Sequence, residues 1–570
     1  MMRNVEVAQL LYNISELLEI KGENAFKIRS YAKAARAIEG TSEDIEKIAS
    51  EKKLKVIPGV GESIAKKIEE YLAAGKLEYY EELKKQVPGE LHELLKIPGI
   101  GPKTLQFLHK DLRISNVEEL EKAAREHRLR RHSHFGPTKE QNIIKAIERY
   151  RQRSTRIPLG TALPLVKEIV ESLKKFEFID KIEPAGSLRR RKETVGDIDM
   201  LATSKDARAA IEAFVHLPIV KDVLGKGSTK ATIVTREAIQ VDLRIMDGSS
   251  FGTSLQYFTG SKEHNIKLRE LARQKGLKLS EYDLEELSTG RKIYCESDDD
   301  VYRRLGLPPI PPEIREDAGE IEAALSGKLP ELVDLNDIKG DFHIHTDWSE
   351  GTNTIMEMVA AAQKLGYEYI AITDHSKALG VAHGLSGERL LRQIEEIGKL
   401  NDKDSGFQVF TGIEVDIKAD SSIDLPDNIL KQCEVVIAAL HTGQRQTRRE
   451  ITRRLITAME NENVDMIAHP TGRIIGEREA YDVDIDALLD AAASTGTVLE
   501  INAHPERLDL SDVHARKAKK KGVKLAVGTD SHNTGHLGLM EFGVDVAKRG
   551  WLEKDDLMNT RSAKEVQFKD

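Results

Sequence analysis

Asp197 and Asp199 in Gly196-Asp197-Ile198-Asp199, with Asp242 in Val241-Asp242-Leu243-Arg244, form one set of side chains able to hold hard cations. On a strand, residues i and i+2 face the same side, so the first two carboxylates project together. Asp242, on a second predicted strand, completes a three-carboxylate cradle. Carboxylate-and-water sites suit Mg²⁺ or Mn²⁺. Two such ions activate an attacking hydroxyl and stabilise the leaving oxygen of an in-line phosphoryl displacement. Upstream, Gly186-Ser187-Leu188-Arg189-Arg190 offers backbone amides, a hydroxyl and two cations for a triphosphate. Gly-Asp-x-Asp alone is often a turn; the ordered set with Gly-Ser, Arg-Arg and a third Asp carries the assignment.

A second set is rich in imidazole: His343, His345, Glu350, Asp374-His375, Glu414, His441, His469 and Asp530-Ser531-His532. Such sites suit Zn²⁺, Mn²⁺ or iron. His343 and His345 alternate onto one face of a strand and could share an ion. A single histidine is more often structural or exposed, and His383, His504, His514 and His536 are read that way. The remaining cluster lies near successive predicted strand ends, where buried ionisable groups need partners.

These side chains must be positioned by several domains. A chain of 570 residues exceeds one hydrophobic core, and three to five domains are expected. With 40% apolar and 32% charged residues the composition is that of a globular protein. No apolar run approaches a membrane span. Met1 to Asn24 reads as an amphipathic helix rather than a signal peptide. Two cysteines, Cys295 and Cys433, exclude a disulfide framework and fit a cytoplasmic location. The net charge of −9 is unevenly spread: residues 1–338 hold 57 basic and 56 acidic side chains, the remainder 29 and 39. Residues 101–192 carry 22 basic against 12 acidic, which suits a polyanionic partner.

Residues 1–150 read as helical, with an echo: Ile57-Pro58-Gly59-Val60-Gly61 and Ile97-Pro98-Gly99-Ile100-Gly101 each put a glycine hairpin at the mouth of a helix. Mixed α/β patterning follows from about 155 to 320. Pro308, Pro309, Pro311 and Pro312 begin a stiff connector. After Lys339, β-type runs recur at 341–345, 369–373, 408–415, 435–440, 464–468, 497–501 and 524–528, mostly separated by helical stretches. Seven βα alternations predict a parallel barrel with ligands at the strands' C-terminal ends.

Residues 1–320 resemble the family X DNA polymerases, the class of DNA polymerase beta. The resemblance rests on the Gly-Ser, Asp-x-Asp and third-Asp set together with Tyr257-Phe258-Thr259-Gly260-Ser261. It implies that Asp197, Asp199 and Asp242 are catalytic metal-binding carboxylates and that Gly186, Ser187, Arg190 and Gly196 contact the triphosphate. Tyr257, Phe258 and Gly260 would pack against sugar and base, and Asn265 would contact the base in the minor groove. The glycine pairs Gly59/Gly61 and Gly99/Gly101, with Lys66 and Lys103, resemble helix-hairpin-helix motifs that hold DNA phosphates without reading sequence. Lys67 falls on the Schiff-base lysine of DNA polymerase beta; Lys27 and Tyr31 match, whereas Phe26 and Ser63 depart from His and Lys. Weak lyase activity at best is expected, with phosphate binding favoured.

Residues 340–570 resemble the PHP (polymerase and histidinol phosphatase) domain, a distorted (β/α)7 barrel holding up to three ions. The ligand set this implies is His343, His345, Glu350, His375, Glu414, His441, His469, Asp530 and His532. Glu350 departs from the family's Asp, which lengthens that carboxylate's reach by one methylene. The whole chain is therefore expected to comprise helix-hairpin-helix regions at 1–82 and 83–154, a nucleotidyltransferase palm at 155–245, a thumb-like nucleotide-selecting subdomain at 246–318, a linker at 319–338 and a PHP domain at 339–570. The implied activity is gap-filling DNA synthesis in repair, with 3′–5′ exonuclease or phosphoesterase action and abasic-site processing in some members. Expected partners are gapped or primer–template DNA and dNTPs, with no membrane and a monomeric state. Expected cofactors are Mg²⁺ or Mn²⁺ in the palm and Zn²⁺ or Mn²⁺ in the barrel. The alternatives are a template-independent nucleotidyltransferase acting on RNA ends, or a phosphatase fused to an inactive DNA-binding scaffold. The Tyr-Phe-Thr-Gly-Ser motif and hairpin pair argue against the first, and the complete Asp set against the second.

Overall fold

The structure, a computed structural model, describes the chain apart from residues 1–2, 22, 40–44, 87–93, 95–96, 98–99, 101, 133–134, 155, 380–381, 403–405 and 570. The N-terminal part is helical, and buried Leu11, Leu18, Ile68, Leu105 and Ile147 belong to one apolar cluster. In the first hairpin, Val60 N–H donates to Ile57 O at 3.0 Å and Gly59 adopts φ +91°. A Cβ there would lie 2.8 Å from the Ala34 nitrogen, so only glycine lets the turn sit against helix Ala25–Glu39. Helix Glu62–Ala74 then starts from Gly61. At the second glycine pair, Ile100 N–H donates to Ile97 O at 3.1 Å ahead of helix Pro102–Leu112. Gly99, Gly101 and the Lys103 side chain lie outside the described residues.

A short ribbon of β1 (Ile157–Pro158) and β3 (Thr194–Val195) flanks a five-stranded sheet. That sheet runs in the order β2 (Ile179–Pro184), β4 (Ile198–Ser204), β7 (Gln240–Met246), β6 (Lys230–Thr235), β5 (Val220–Lys226). Only β4 and β7 run parallel, which pairs Asp199 directly with Asp242. Helices Phe251–Thr259, Lys262–Gln274 and Asp298–Arg304 follow, with a small sheet of β8 (Leu277–Leu279), β9 (Leu284–Glu286) and β10 (Lys292–Ile293).

The segment 319–338, expected as a linker, packs against both halves. Helix Glu320–Leu325 places Ile321 and Ala324 in the apolar cluster around Leu268 and Tyr302, while Val333 N–H donates to Leu552 O at 3.0 Å. Its anchor is polar and fully buried: Glu320 lies 2.6 Å from His264 Nδ1, whose Nε2 is 2.9 Å from the Tyr302 hydroxyl. Burial holds the His264 pKa below its usual value, against the pull of Glu320, so the ring is neutral at pH 7. Burial opposes ionisation of Glu320, yet the His264 hydrogen bond and nearby amides keep its carboxyl below the usual range.

Both folded-state pKa values are depressed, so the stabilisation is complete above the unfolded histidine value of about 6.5 and is lost as pH falls through the folded values. Melting scans between pH 7 and pH 5 should therefore show a steeper acid-induced fall in the parent protein than in His264→Gln. Equal slopes would remove this pair as the cause.

The C-terminal half is a seven-stranded parallel sheet in strictly sequential order: β11 (Gly340–Asp341), β12 (Tyr369–Ile372), β13 (Gln408–Asp416), β14 (Val435–Ala439), β15 (Met466–Ile467), β16 (Val498–Asn502), β17 (Leu525–Gly528). A parallel bridge between Ile344 and Ser531 joins the first and last strands just beyond their ends and curls the sheet into a barrel. Strands such as Val435–Ala439 are buried throughout, as parallel strands covered on both faces must be. Among the described residues, no helix is long and apolar enough to cross a membrane.

Candidate active sites

In the palm, Asp199 and Asp242 stand side by side on β4 and β7, while Asp197 lies just before β4 rather than within it. The bend at Gly196 and Asp197 leaves Asp197 exposed, Asp199 half-buried and Asp242 buried. Burial, then the neighbouring Asp197 and Asp242, push Asp199 up to about 6. Asp242 Oδ2 lies 2.9 Å from Lys230 Nζ, but its buried Oδ1 has no hydrogen-bond partner. Like charges crowded this way, with an orphaned buried oxygen, fit a divalent cation, so Asp199 and Asp242 could hold one; Asp197, exposed before β4, is not drawn into a converging three-ligand group with them. Gly186, at φ +61°, brings the Gly-Ser turn against this cradle; a Cβ would meet Asp199 Oδ2 at 3.3 Å. Ser187 sits half-buried beside it.

Two side chains assigned to nucleotide contacts are engaged within the protein. Arg190 Nε binds Glu316 Oε1 at 3.0 Å and its Nη1 donates to Thr259 O. Arg189 pairs with Asp298 at 2.7 Å. Asn265 donates to Tyr257 O at 2.7 Å and accepts from Gln256 at 2.8 Å, so its amide braces the turn around Gly260. Tyr257 and Phe258 meet edge to face, 5.3 Å between centroids, and the Arg244 guanidinium lies over the Phe258 ring. Both rings remain partly exposed.

The barrel gathers all nine residues of the histidine set around its strand ends, with Glu414 at their centre. Its carboxylate lies 2.8 Å from His375, 3.2 Å from His469, 3.3 Å from His343, 3.4 Å from His441 and 3.6 Å from His345. Glu350 reaches 2.9 Å to both His375 and His532. Asp530 closes the third corner, 3.2 Å from His345. Three groups of ligand atoms are close enough to hold ions: His345, Glu350, His375 and His532; His343, His345 and Asp530; His375, Glu414 and His441.

Buried atoms with no hydrogen-bond partner include His343 Nε2, both ring nitrogens of His345, His441 Nδ1, Glu350 Oε2 and Glu414 Oε2. So many orphaned lone pairs are costly unless cations take them, and the donor set therefore fits bound metal. Burial works against charging Glu414, but His375, His343 and His441 hold it well below the usual range. Burial and then Arg507 push His469 down to about 4, leaving the neutral imidazole that ligation needs.

Behind these ligands is a layer that sequence reasoning did not single out. Glu500 accepts from His343 Nδ1 at 2.6 Å and from the His469 amide at 2.6 Å. Asn502 donates to Asp530 at 3.1 Å, and Asp416 lies 3.3 Å from His441 Nδ1. The available signal was a charge inside an otherwise apolar run, Val498-Leu499-Glu500-Ile501. Orienting carboxylates of this kind typically change metal affinity by about 10–100-fold. Glu500→Gln should lower barrel metal affinity on that scale in equilibrium dialysis, and unchanged affinity would make Glu500 merely structural. His504 and His536, read as structural, meet edge to face at the rim, 5.7 Å between centroids. His383 is exposed, and His514 is half-buried.

In the N-terminal part, Lys67 Nζ donates to Ser63 Oγ at 3.1 Å and lies 4.6 Å from the Tyr79 ring centroid. Burial, then Lys27, lower its pKa. Tyr31 stacks on Tyr79, and Lys27 lies over the same ring, while Phe26 is exposed. Lys66 is exposed at the mouth of helix Glu62–Ala74.

A palm-like sheet bearing three carboxylates, joined to a histidine-lined parallel barrel, is the plan of a nucleotidyltransferase fused to a phosphoesterase barrel. The sequence matches a helix-hairpin-helix domain over residues 2–77, a SAM-like helix-hairpin-helix tandem over 91–149, the DNA polymerase beta thumb over 254–316 and the PHP domain over 341–504. It is 40% identical over 568 residues, 99% of each chain, to a Bacillus subtilis (strain 168) protein named DNA polymerase/3′-5′ exonuclease PolX. Its C-terminal part is 34% identical over 240 residues to a probable phosphatase of Thermoanaerobacter sp. (strain X514), covering 40% of this chain and 93% of that one. A probable phosphatase of Caldanaerobacter subterraneus subsp. tengcongensis is 29% identical over 239 residues, 40% of this chain and 89% of its own. The chain belongs to the family X DNA polymerases that carry a C-terminal PHP domain.

Proposed function

We propose that this chain is a DNA-directed DNA polymerase that fills short gaps during repair and hydrolyses phosphodiesters from the 3′ end in its barrel. The observation that carries the reading is the coexistence of two separate centres in one chain: the Asp199–Asp242 pair on parallel strands, and Glu414 ringed by imidazoles. Divalent ions would supply Lewis acidity at both, with Mg²⁺ or Mn²⁺ suited to the carboxylates and Zn²⁺ or Mn²⁺ to the imidazoles. In the palm, Asp197, Asp199 and Asp242 align the primer hydroxyl with the α-phosphate, and the Gly186-Ser187 turn receives the triphosphate. Tyr257 and Phe258 supply an apolar wall for the incoming nucleotide. In the barrel, Glu350, Glu414 and Asp530 collect positive charge where a scissile phosphate would sit, and Glu500 fixes the His343 ring. The hairpin at Gly59 and its repeat hold the DNA backbone through amides, so the enzyme engages gapped DNA irrespective of sequence. The chain acts as a monomer in this reading. Lys67 remains a phosphate-binding lysine, because Ser63 stands where a second cation would be needed.

The test is a labelled primer on a one-nucleotide gap with Mg²⁺ or Mn²⁺, with and without dNTPs. Extension by one nucleotide with dNTPs, and shortening without them, is the expected result. Extension of an RNA end without template, or phosphate release with no change in primer length, would overturn the reading.

A further inference from the structure

Several side chains cross between the barrel and the polymerase half, and one of them, Arg549, reaches the backbone of Arg190. Arg549 ends helix Met540–Arg549, and its side chain is only 5% exposed. Its Nη2 is held by Asp512 Oδ2 of the barrel at 2.6 Å. Nη1 turns the other way, donating to Arg190 O at 2.7 Å and Glu313 O at 3.2 Å, and lying 3.1 Å from Glu316 Oε1. Glu316 Oε1 in turn accepts from Arg190 Nε at 3.0 Å, so one carboxylate oxygen joins the barrel's arginine to the palm's. Among the described residues, the hydrogen bonds of the Arg190 guanidinium use Nε and Nη1, which leaves Nη2 for a phosphate oxygen.

Two features make this more than incidental packing. A buried guanidinium is costly unless its fork is filled, and here the partners come from both halves of the chain. Burial disfavours the charge on Glu316, but Arg190, Lys192 and Arg549 hold its carboxyl below the usual range, so the bridge is ionised. A lysine has no second donor plane with which to grip Asp512 and Arg190 together.

We infer that Arg549 is a positioning residue for nucleotide binding, by which the barrel fixes the backbone and side chain of Arg190 in the triphosphate site. This rests on the reading of Arg190 as a triphosphate contact. Full-length Arg549→Ala and Glu316→Gln would be compared with the parent by calorimetric titration with dATP and Mg²⁺ and by gap-filling kinetics. Each is expected to weaken dATP binding and raise the dNTP KM by about tenfold, the scale of one charge-assisted hydrogen bond, with kcat little changed. The double variant should lose no more than either single one, because both break the same bridge. Trimming of a primer 3′ end should continue at the parent rate. Arg549→Lys, which keeps the charge without the fork, should behave like Arg549→Ala and guards against a folding defect. Parent-like dATP affinity in Arg549→Ala, additive losses in the double variant, or an equal fall in trimming would each overturn the inference. A parent protein that binds dATP yet adds no nucleotide would sink the polymerase reading instead, and the affinity comparison would still decide the role of Arg549.

Discussion

Asp199→Ala should eliminate detectable nucleotide addition on a gapped primer while leaving 3′ trimming at the parent rate. Asp199 is the middle carboxylate, paired in register with Asp242 on β7 and approached by the Gly186 turn. Ions held there stabilise developing charge by several kcal/mol, so their loss costs on the order of 10³-fold in rate. The substitution also removes a half-buried carboxylate whose pKa is raised to about 6 by burial and by its two acidic neighbours. Relief of that repulsion means the variant should melt no lower than the parent in metal-free buffer. Loss of trimming together with addition would refute two independent centres.

Glu414→Gln should have the complementary effect. Its carboxylate is within 3.6 Å of five histidines, which places one negative charge among most of the proposed imidazole ligands. An amide retains the shape but not the charge, and metal content by elemental analysis should fall with it. Because outer-layer groups already cost about 10–100-fold, removing this inner carboxylate should reduce trimming by more than about 100-fold. Nucleotide addition should persist. Full metal occupancy in Glu414→Gln would show that the charge at the centre of the cluster comes from elsewhere.

The seven barrel strands were legible because most are apolar β-type runs, as expected of parallel strands buried on both faces. The ligands were legible for a related reason: His441 and His469 follow those runs directly, His375 comes two residues after Thr373, and His343 lies within the first run. What was not legible depended on contacts between distant segments. Glu500 reads as one charge inside a strand until the fold brings His343 and His469 to it. Arg190 and Asn265 are expected from the sequence at nucleotide contacts, yet their binding to Glu316, Thr259 and Tyr257 follows from three-dimensional proximity alone. Residues 319–338 have the prolines of a connector before them, and only the packed structure shows Glu320 locked to His264. Asp197 falls outside its strand because the chain bends at Gly196.

The packed connector also bears on traffic between the two centres. Residues 319–338 pack on both halves, and Arg549, Lys167 and Arg473 each bond across the seam, so a swing of one half toward the other's substrate would have to break these contacts. If those contacts hold during turnover, a strand terminus extended at one centre would have to leave it to reach the other. Traffic between the centres would then be a courier problem, set by how quickly an end frays and is recaptured.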